Sequence, residues 1–395
     1  MREHSKVCIA GCGCLSNAGD GIRNTLAGLY GDVPPPRRAS RRIGTTLDLP
    51  VFELEHISSE SPSRGMALLD RALAEALENA GATERILQRA RVGVCIGTTV
   101  GVQLNDLEFY RTLKEGHPTS FDALDAFLEG TPSERLRERL RLTGPEATIS
   151  NACASGADAV AAGALWIEAD LCDLVIAGGV DELSRVPIAG FHALGVTSPE
   201  PCRPFDAERK GLNLGEGAGV VLLASPAWAK KLRNGHDSRW VLAGCGSSAD
   251  AYHITSPHPE GLGLERAIRQ ALSRAGLQPG QIAFLNAHGT GTRSNDACEC
   301  AVFRHLFGDR VRYLSTKGKT GHTLGAAGTL ELIFTLLMLR EGVLPPSAGF
   351  RSAGEDIPVP PVAETTEFSG AFALSTSLAF GGCNSALIVG REDAL

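Results

Sequence analysis

Thr148-Ile149-Ser150-Asn151-Ala152-Cys153-Ala154-Ser155-Gly156-Ala157 joins a β-branched run to an apolar stretch of helical periodicity, Ala157 to Glu168. It reads as a strand, a tight turn and a helix, with one thiol in the turn. A thiol there faces the positive end of the helix dipole and free N–H groups. These favour the thiolate and can hold an oxyanion, so Cys153 reads as an acyl-transfer nucleophile. Two histidines downstream sit among glycines that let a substrate approach backbone and imidazole together. They are His288 in Asn286-Ala287-His288-Gly289-Thr290-Gly291-Thr292 and His322 in Lys317-Gly318-Lys319-Thr320-Gly321-His322. A spatial Cys153/His288/His322 set is expected.

The helix after Cys153 contains Ala161-Ala162-Gly163-Ala164-Leu165, echoed after His322 by Ala326-Ala327-Gly328-Thr329-Leu330. Ile9-Ala10-Gly11-Cys12-Gly13 is likewise echoed by Leu242-Ala243-Gly244-Cys245-Gly246. In each half a strand-and-glycine signal precedes a strand-turn-helix with a reactive residue, so the chain reads as a duplication. The first echo is offset by 233 residues (9 to 242) and the second by 165 (161 to 326), leaving about 68 more residues in the first half. The expected halves are 1–238, carrying the nucleophile, and 239–395, carrying both histidines, with an insertion around 101–147. The charged helical run Ser133 to Leu140 reads as an excursion from the core. Apolar strands at Val7 to Ala10, Val92 to Ile96, Leu174 to Ala177, Gly219 to Leu223, Val241 to Ala243, Ala283 to Asn286, Ala371 to Ser375 and Ala386 to Val389 alternate with helical patterns. That alternation implies layered α/β architecture.

With 395 residues, 43% hydrophobic and 21% charged, the chain is an ordinary globular protein. A net charge of -7 argues against nucleic acid held by the overall field, and Arg37, Arg38, Arg41 and Arg42 read as a solvated loop. No apolar run reaches a membrane span, since the longest helical one, near Leu330 to Leu339, carries Glu331. The eleven cysteines show no recurrent C-x-x-C pattern and Met1 to Lys6 are too polar for a signal peptide, so a reducing cytoplasm is expected. Cys298 and Cys300, one residue apart and without a second pair, do not suit zinc.

Three glycine motifs fail their usual readings. Gly11-Cys12-Gly13-Cys14-Leu15-Ser16 has serine where a dinucleotide fingerprint needs its third glycine, and Gly318-Lys319-Thr320 lacks the P-loop's first glycine, Tyr313 standing there. Gly215-Glu216-Gly217-Ala218-Gly219 is acidic and reads as tight strand packing. Cys8, Cys95, Cys172 and Cys245 read as buried small hydrophobes, and His236, His253, His258 and His305 as structural.

The segments around Cys153, His288 and His322, the last continuing Thr323-Leu324-Gly325 to Glu331, resemble the active-site segments of β-ketoacyl-acyl-carrier-protein synthases. The elongating branch with a Cys/His/His triad fits best. Arg203-Pro204-Phe205-Asp206, Gly215 to Gly219, Asp250-Ala251-Tyr252-His253-Ile254-Thr255-Ser256-Pro257 and Phe380-Gly381-Gly382-Cys383-Asn384-Ser385 extend the resemblance nearly end to end. It implies the duplicated thiolase-like fold, layered α-β-α-β-α. It also implies an acyltransferase: Cys153 takes an acyl chain from acyl carrier protein, and malonyl-carrier protein then loses carbon dioxide and condenses with it. By resemblance, the N–H groups of Cys153 and Phe380 form the oxyanion hole, and His288 and His322 donate to the malonyl thioester oxygen while remaining neutral. Lys317 and Glu331 match supporting residues, and Thr290 and Thr292 match those meeting the phosphopantetheine arm. No redox cofactor or catalytic metal is implied; a homodimer, or a heterodimer with a homologous subunit, is.

The chain departs from the family where the gate reads Leu378-Ala379-Phe380-Gly381-Gly382-Cys383 instead of Phe-Gly-Phe-Gly-Gly-Thr, and where Leu212 replaces a common phenylalanine. These changes point to a pocket retuned from saturated chains toward polyene or polyketide intermediates, in a discrete (type II) pathway. The alternatives are a non-catalytic chain-length-factor-like subunit, which usually lacks the nucleophile, and a non-decarboxylative thiolase, which would need a second cysteine such as Cys383.

Overall fold

The computed structural model describes residues 7–39, 43–57, 63–101, 107–118, 120, 121, 125, 128, 130–232 and 240–395. Met1 to Lys6, Arg41, Arg42, His236 and the expected boundary at 238/239 lie outside the described residues. The first half supplies β1 (Val7–Ser16), α1 (Ile22–Tyr30), α2 (Arg64–Ala80), β2 (Val92–Gly97), α3 (Pro132–Arg139), β3 (Glu146–Ile149), α4 (Ser155–Glu168), β4 (Leu174–Asp181), α5 (Arg185–Ala193) and β5 (Gly217–Ala224). The second supplies β6 (Trp240–Ala249), α6 (Leu262–Ala275), β7 (Ile282–Asn286), α7 (Arg293–Phe307), β8 (Tyr313–Leu314), α8 (Ala327–Glu341), β9 (Phe372–Ala379) and β10 (Cys383–Arg391).

The main sheet runs β8-β7-β9-β10-β6-β1-β5-β4-β2-β3, with Gly19–Asp20 paired to the end of β1. Outward from the central β1/β6 pair, each side shows two antiparallel pairings and then two parallel ones. That mirrored order is the duplication in hydrogen bonds. The halves meet where Val7, Cys8 and Ile9 pair with Leu242, Val241 and Trp240. Helix α2 packs on β1 and β5, and α6 on β6 and β10. Between the two half-sheets α4 and α8 lie side by side, giving the five layers of the thiolase-like fold.

The glycine echoes have a packing cause. A Cβ at Gly11 or Gly13 would lie 2.4 or 2.1 Å from the carbonyl oxygens of Ala76 and Ala72 on α2, and one at Gly244 or Gly246 would lie 2.2 or 2.1 Å from those of Ala271 and Ala267 on α6. Each half thus lays an alanine face directly onto strand backbone. The glycines continue their strands, which is why β1 and β6 outrun the expected Val7 to Ala10 and Val241 to Ala243. β4, β9 and β10 likewise extend through small and polar residues that are buried because both faces of the sheet are covered.

The run Ser133 to Leu140 is not an excursion. Leu136 on α3 is fully buried, and Ser133 Oγ accepts from the Ile96 N–H (3.1 Å) and donates to the Ala147 carbonyl (2.6 Å), stitching α3 across β2 and β3. Of its charged residues, Glu138 and Arg139 are exposed, while Glu134, Arg135 and Arg137 are partly buried. Where described, the arginine cluster is solvated as expected but not a loop: Arg37 and Arg38 form a two-residue strand paired with Pro50–Val51, and both are exposed and pair with Glu55 and Asp48.

Replacing Gly13 or Gly246 with valine forces backbone apart in a close-packed layer. Each variant is expected to unfold with about 1–3 kcal/mol less stability in urea titrations. An unchanged midpoint would refute the contact.

Candidate active site

Cys153 sits in the turn from β3 to α4, His288 just beyond β7, His322 in the loop before α8, and Phe380 in the β9–β10 hairpin. Ala152 holds φ +46°, an unusual value for a residue with a Cβ. The turn is secured by Ser155 Oγ, which donates to the Ala152 carbonyl (2.6 Å) and accepts from the Asn151 N–H (2.8 Å). Two small residues let the Cys153 and His322 segments meet: a Cβ at Gly156 would lie 2.5 Å from the Gly325 carbonyl oxygen, and one at Gly328 would lie 2.7 Å from the Ala157 side chain.

The result is a buried triad. His322 Nε2 lies 3.0 Å from Cys153 Sγ, and the two imidazole rings stand edge to face with centroids 5.0 Å apart. Beneath them Lys317 and Glu331 form a buried ion pair. Lys317 Nζ also donates to the His288 carbonyl oxygen (2.5 Å) and to His288 Nδ1 (3.3 Å). The Leu324 N–H donates to His322 Nδ1 (3.3 Å). With both Nδ1 atoms accepting, each neutral ring carries its proton on Nε2. Burial, reinforced by the Lys317 charge, holds both imidazoles well below the usual histidine range.

The expected thiolate is not the resting state. Burial pushes the Cys153 thiol up to about 12, outweighing Lys317 and the Phe380 N–H that points at the sulfur. Glu331 is pushed up to about 7 by the same burial, opposed by Lys317.

The Cys153, His288 and His322 ligand atoms lie within 4.8 Å of one another, a spacing one metal ion could span. Their surroundings argue against it: a metal-ligating imidazole gives its second N–H to an acceptor, whereas Lys317 and the Leu324 N–H present donors to both Nδ1 atoms. Cys298 and Cys300 face different partners, the carbonyls of His258 and Val359.

A pocket of about 180 Å3 opens onto the triad, and Thr290, Thr292, Leu212, Leu378, Ala379 and Phe380 all line it. Lys317 and Glu331 stand behind the imidazoles. The Thr290 and Thr292 hydroxyls lie 2.9 Å apart. A wider cleft of about 530 Å3 lies between α1 and the segment 51–56 and touches none of these residues. His253 and His258 are structural, their Nδ1 atoms accepting turn N–H groups, and the four cysteines read as small hydrophobes are buried. Lys319, in the P-loop-like string, caps the carbonyls of Gly28 and Gly31 at the end of α1.

Sequence reasoning missed the acids that hold the loops. Glu299 accepts the N–H groups of His288 (2.8 Å) and Gly289 (2.7 Å), and Asp296 those of Phe205 (2.7 Å) and Gly291 (3.2 Å). Their i, i+3 spacing on the inward face of α7 was the available signal. Asp181 accepts from Thr98 Oγ1 (2.7 Å) and the Gly325 N–H (2.6 Å), tying β4 to the His322 loop. Phe191 stacks on Phe380 at 5.2 Å, a contact with no signal in the sequence.

Comparison with known proteins agrees with this geometry. Residues 5–228 match the beta-ketoacyl synthase N-terminal domain and residues 240–351 its C-terminal domain. Nodulation protein E of Rhizobium meliloti (strain 1021) is 33% identical over 86% of this chain and 85% of its own. The 3-oxoacyl-[acyl-carrier-protein] synthase 2 of the same organism is 34% identical over 82% and 79%. Among solved structures, a Xenorhabdus doucetiae ketosynthase in complex with its chain length factor superposes with a TM-score of 0.85 at 31% identity over 99% of both chains. The ishigamide ketosynthase/chain length factor gives 0.89 at 30% identity over 98% of this chain and 99% of that one. Matched over most of its length in sequence and nearly all of it in structure, this chain belongs to the β-ketoacyl synthase family of acyltransferases.

Proposed function

We propose that the protein catalyses the decarboxylative condensation of a Cys153-bound acyl group with malonyl-acyl carrier protein, in a discrete fatty acid or polyketide pathway. The observation that carries this reading is that Cys153, His288 and His322 share one buried pocket, and the donors at both Nδ1 atoms leave the Nε2–H groups of two neutral imidazoles to serve it. In the first half-reaction Cys153 sulfur bonds to the acyl carbon, the carbon–sulfur bond to pantetheine breaks, and the thiol proton passes to the departing pantetheine sulfur. The N–H groups of Cys153 and Phe380 receive the transient oxyanion. In the second, malonyl thioester loses carbon dioxide and His288 and His322 donate to its oxygen as the enolate forms. The enolate carbon then attacks the Cys153 thioester, and the released sulfur takes a proton from water. Thr290 and Thr292 offer hydroxyls to the phosphopantetheine arm. Lys317 and Glu331 act through the imidazoles, and no separate cofactor is needed.

The retained thiol favours this reading over a chain-length-factor-like subunit. The pocket also lacks a second cysteine, because Cys383 stands outside it, which disfavours a thiolase. The relatives solved with chain length factors support a partner subunit homologous to this chain, a second copy being the alternative. Eleven free thiols fit a reducing cytoplasm.

The gate supports an altered substrate. Ala379 continues β9 and pairs with Cys383, so the positive φ values fall on Gly381 (+85°) and Gly382 (+74°), and the turn is made there. Leu378 and Leu212 leave room where aromatic rings are common. We infer an unsaturated or polyketide acyl chain.

Cys153→Ala is expected to abolish acyl loading seen by mass spectrometry, whereas His288→Ala and His322→Ala keep loading and lose decarboxylation at least a hundredfold. Loading that survives loss of the thiol would overturn the nucleophile. Because both imidazoles titrate well below 6.5, they stay neutral as pH falls through 6, and malonyl decarboxylation is expected to show no limb near 6.5. Iodoacetamide alkylation of Cys153 should still climb with pH between 9 and 10; a plateau below 8 would contradict the raised thiol. Leu212→Phe combined with Leu378→Phe is expected to reduce loading of unsaturated or aryl-capped chains at least tenfold more than saturated ones. Equal losses would remove the substrate reading.

A further inference from the structure

We propose that Asp158 is a positioning residue that sets the spacing of the two oxyanion donors by bridging the Cys153 turn to the β9–β10 hairpin. The inference rests on the condensing-enzyme reading above. Asp158 lies in the first turn of α4, largely buried, and neither touches the pocket nor enters the chemistry. Its Oδ2 accepts from the Asn151 side-chain amide at 2.5 Å. Its Oδ1 accepts from the Ser385 hydroxyl on β10. Asn151 is two residues before Cys153, and Ser385 pairs with Ser377, three residues before Phe380. One carboxylate therefore reaches both segments that carry the proposed donors. The Asn151 amide also meets the sulfur of Cys383, whose partner across the hairpin is Ala379.

A bridge is needed here because the donors belong to segments distant in sequence, one in a turn strained at Ala152 and the other in a loop with two glycines at positive φ. An oxyanion hole works only if both N–H groups lie about 3 Å from one developing charge. A small drift of the hairpin would leave one donor idle, and misplacements near 1 Å cost about a hundredfold in rate. The carboxylate suits the task, with one oxygen for each segment and both bonds partly buried.

The test compares single-turnover acylation of Cys153 by a panel of acyl-carrier proteins with iodoacetamide alkylation of the same thiol, which forms no oxyanion. Asp158→Ala is expected to slow acylation at least tenfold while the carrier KM and the alkylation rate stay within twofold. Asp158→Asn keeps both bonds, its carbonyl accepting from Asn151 and its amide donating to Ser385, and is expected to restore acylation to within threefold. Unchanged acylation in Asp158→Ala, an equal fall in alkylation, or no rescue by Asp158→Asn would each overturn the proposal. Should Asp158→Ala fail to fold, Ser385→Ala severs one arm alone; a threefold or larger loss of acylation with alkylation preserved supports the bridge, and no loss overturns it. A wild-type protein that loads no acyl group overturns the condensing-enzyme reading itself, whereas an Asp158→Ala variant that loads as fast as a wild type that does load overturns only the bridge.

Discussion

The Lys317 ammonium is buried, and its position organises the chemistry of the pocket. A charge taken out of water is costly unless paired and hydrogen-bonded, and Glu331, the His288 carbonyl and His288 Nδ1 together satisfy it. Those bonds orient the His288 ring and fix its tautomer. The same positive charge opposes protonation of both imidazoles, so they remain donors. Removing either partner of the ion pair would leave an uncompensated charge under the pocket, affecting folding and histidine orientation together. This explains why a lysine in direct contact with a reactive histidine need not touch substrate to matter.

Holding the thiol in the same dry interior has a cost. The helix N-terminus that seemed to promise a thiolate is present, but desolvation of the sulfur outweighs it. In the proposed mechanism deprotonation accompanies arrival of the acyl thioester, when donors and leaving group are in place. A thiol that rests protonated reacts less with adventitious electrophiles, and Phe380, stacked on Phe191, lines the pocket beside it.

The positions of Cys153, His288 and His322 were legible because each lies in a short turn whose signal is local, a strand-turn-helix for Cys153 and close glycines for the two histidines. The duplication was legible because its marks, Gly11 with Gly13 and Gly244 with Gly246, answer to the same steric demand against α2 and α6. Strand ends were not, since Gly178-Gly179 in β4 and Ser375-Thr376-Ser377 in β9 look like turns in sequence and become strands only because helices cover both faces. Helix α3 misled for the opposite reason: its charges dominate its composition, while Leu136 and Ser133 alone decide where it packs. Glu299, Asp296 and Asp158 escaped notice because a buried carboxylate is recognised by the donors folded around it, and those come from distant segments.

The mirrored sheet order also explains why the reactive groups meet. β3 leads into α4 in one half, and β8, through the His322 loop, leads into α8 in the other, so the Cys153 turn and the His322 loop occupy equivalent positions. Because α4 and α8 are neighbours in the central layer, their N-terminal ends converge on one point. Gly156 and Gly328 let the approach become close enough for a 3.0 Å sulfur–nitrogen contact. A site formed where two halves meet is necessarily deep, and that depth supplies both the raised thiol and the neutral imidazoles. The β9–β10 hairpin flanks that depth, and Asp158 bonds both to the Asn151 side chain of the Cys153 turn and to Ser385 on the hairpin.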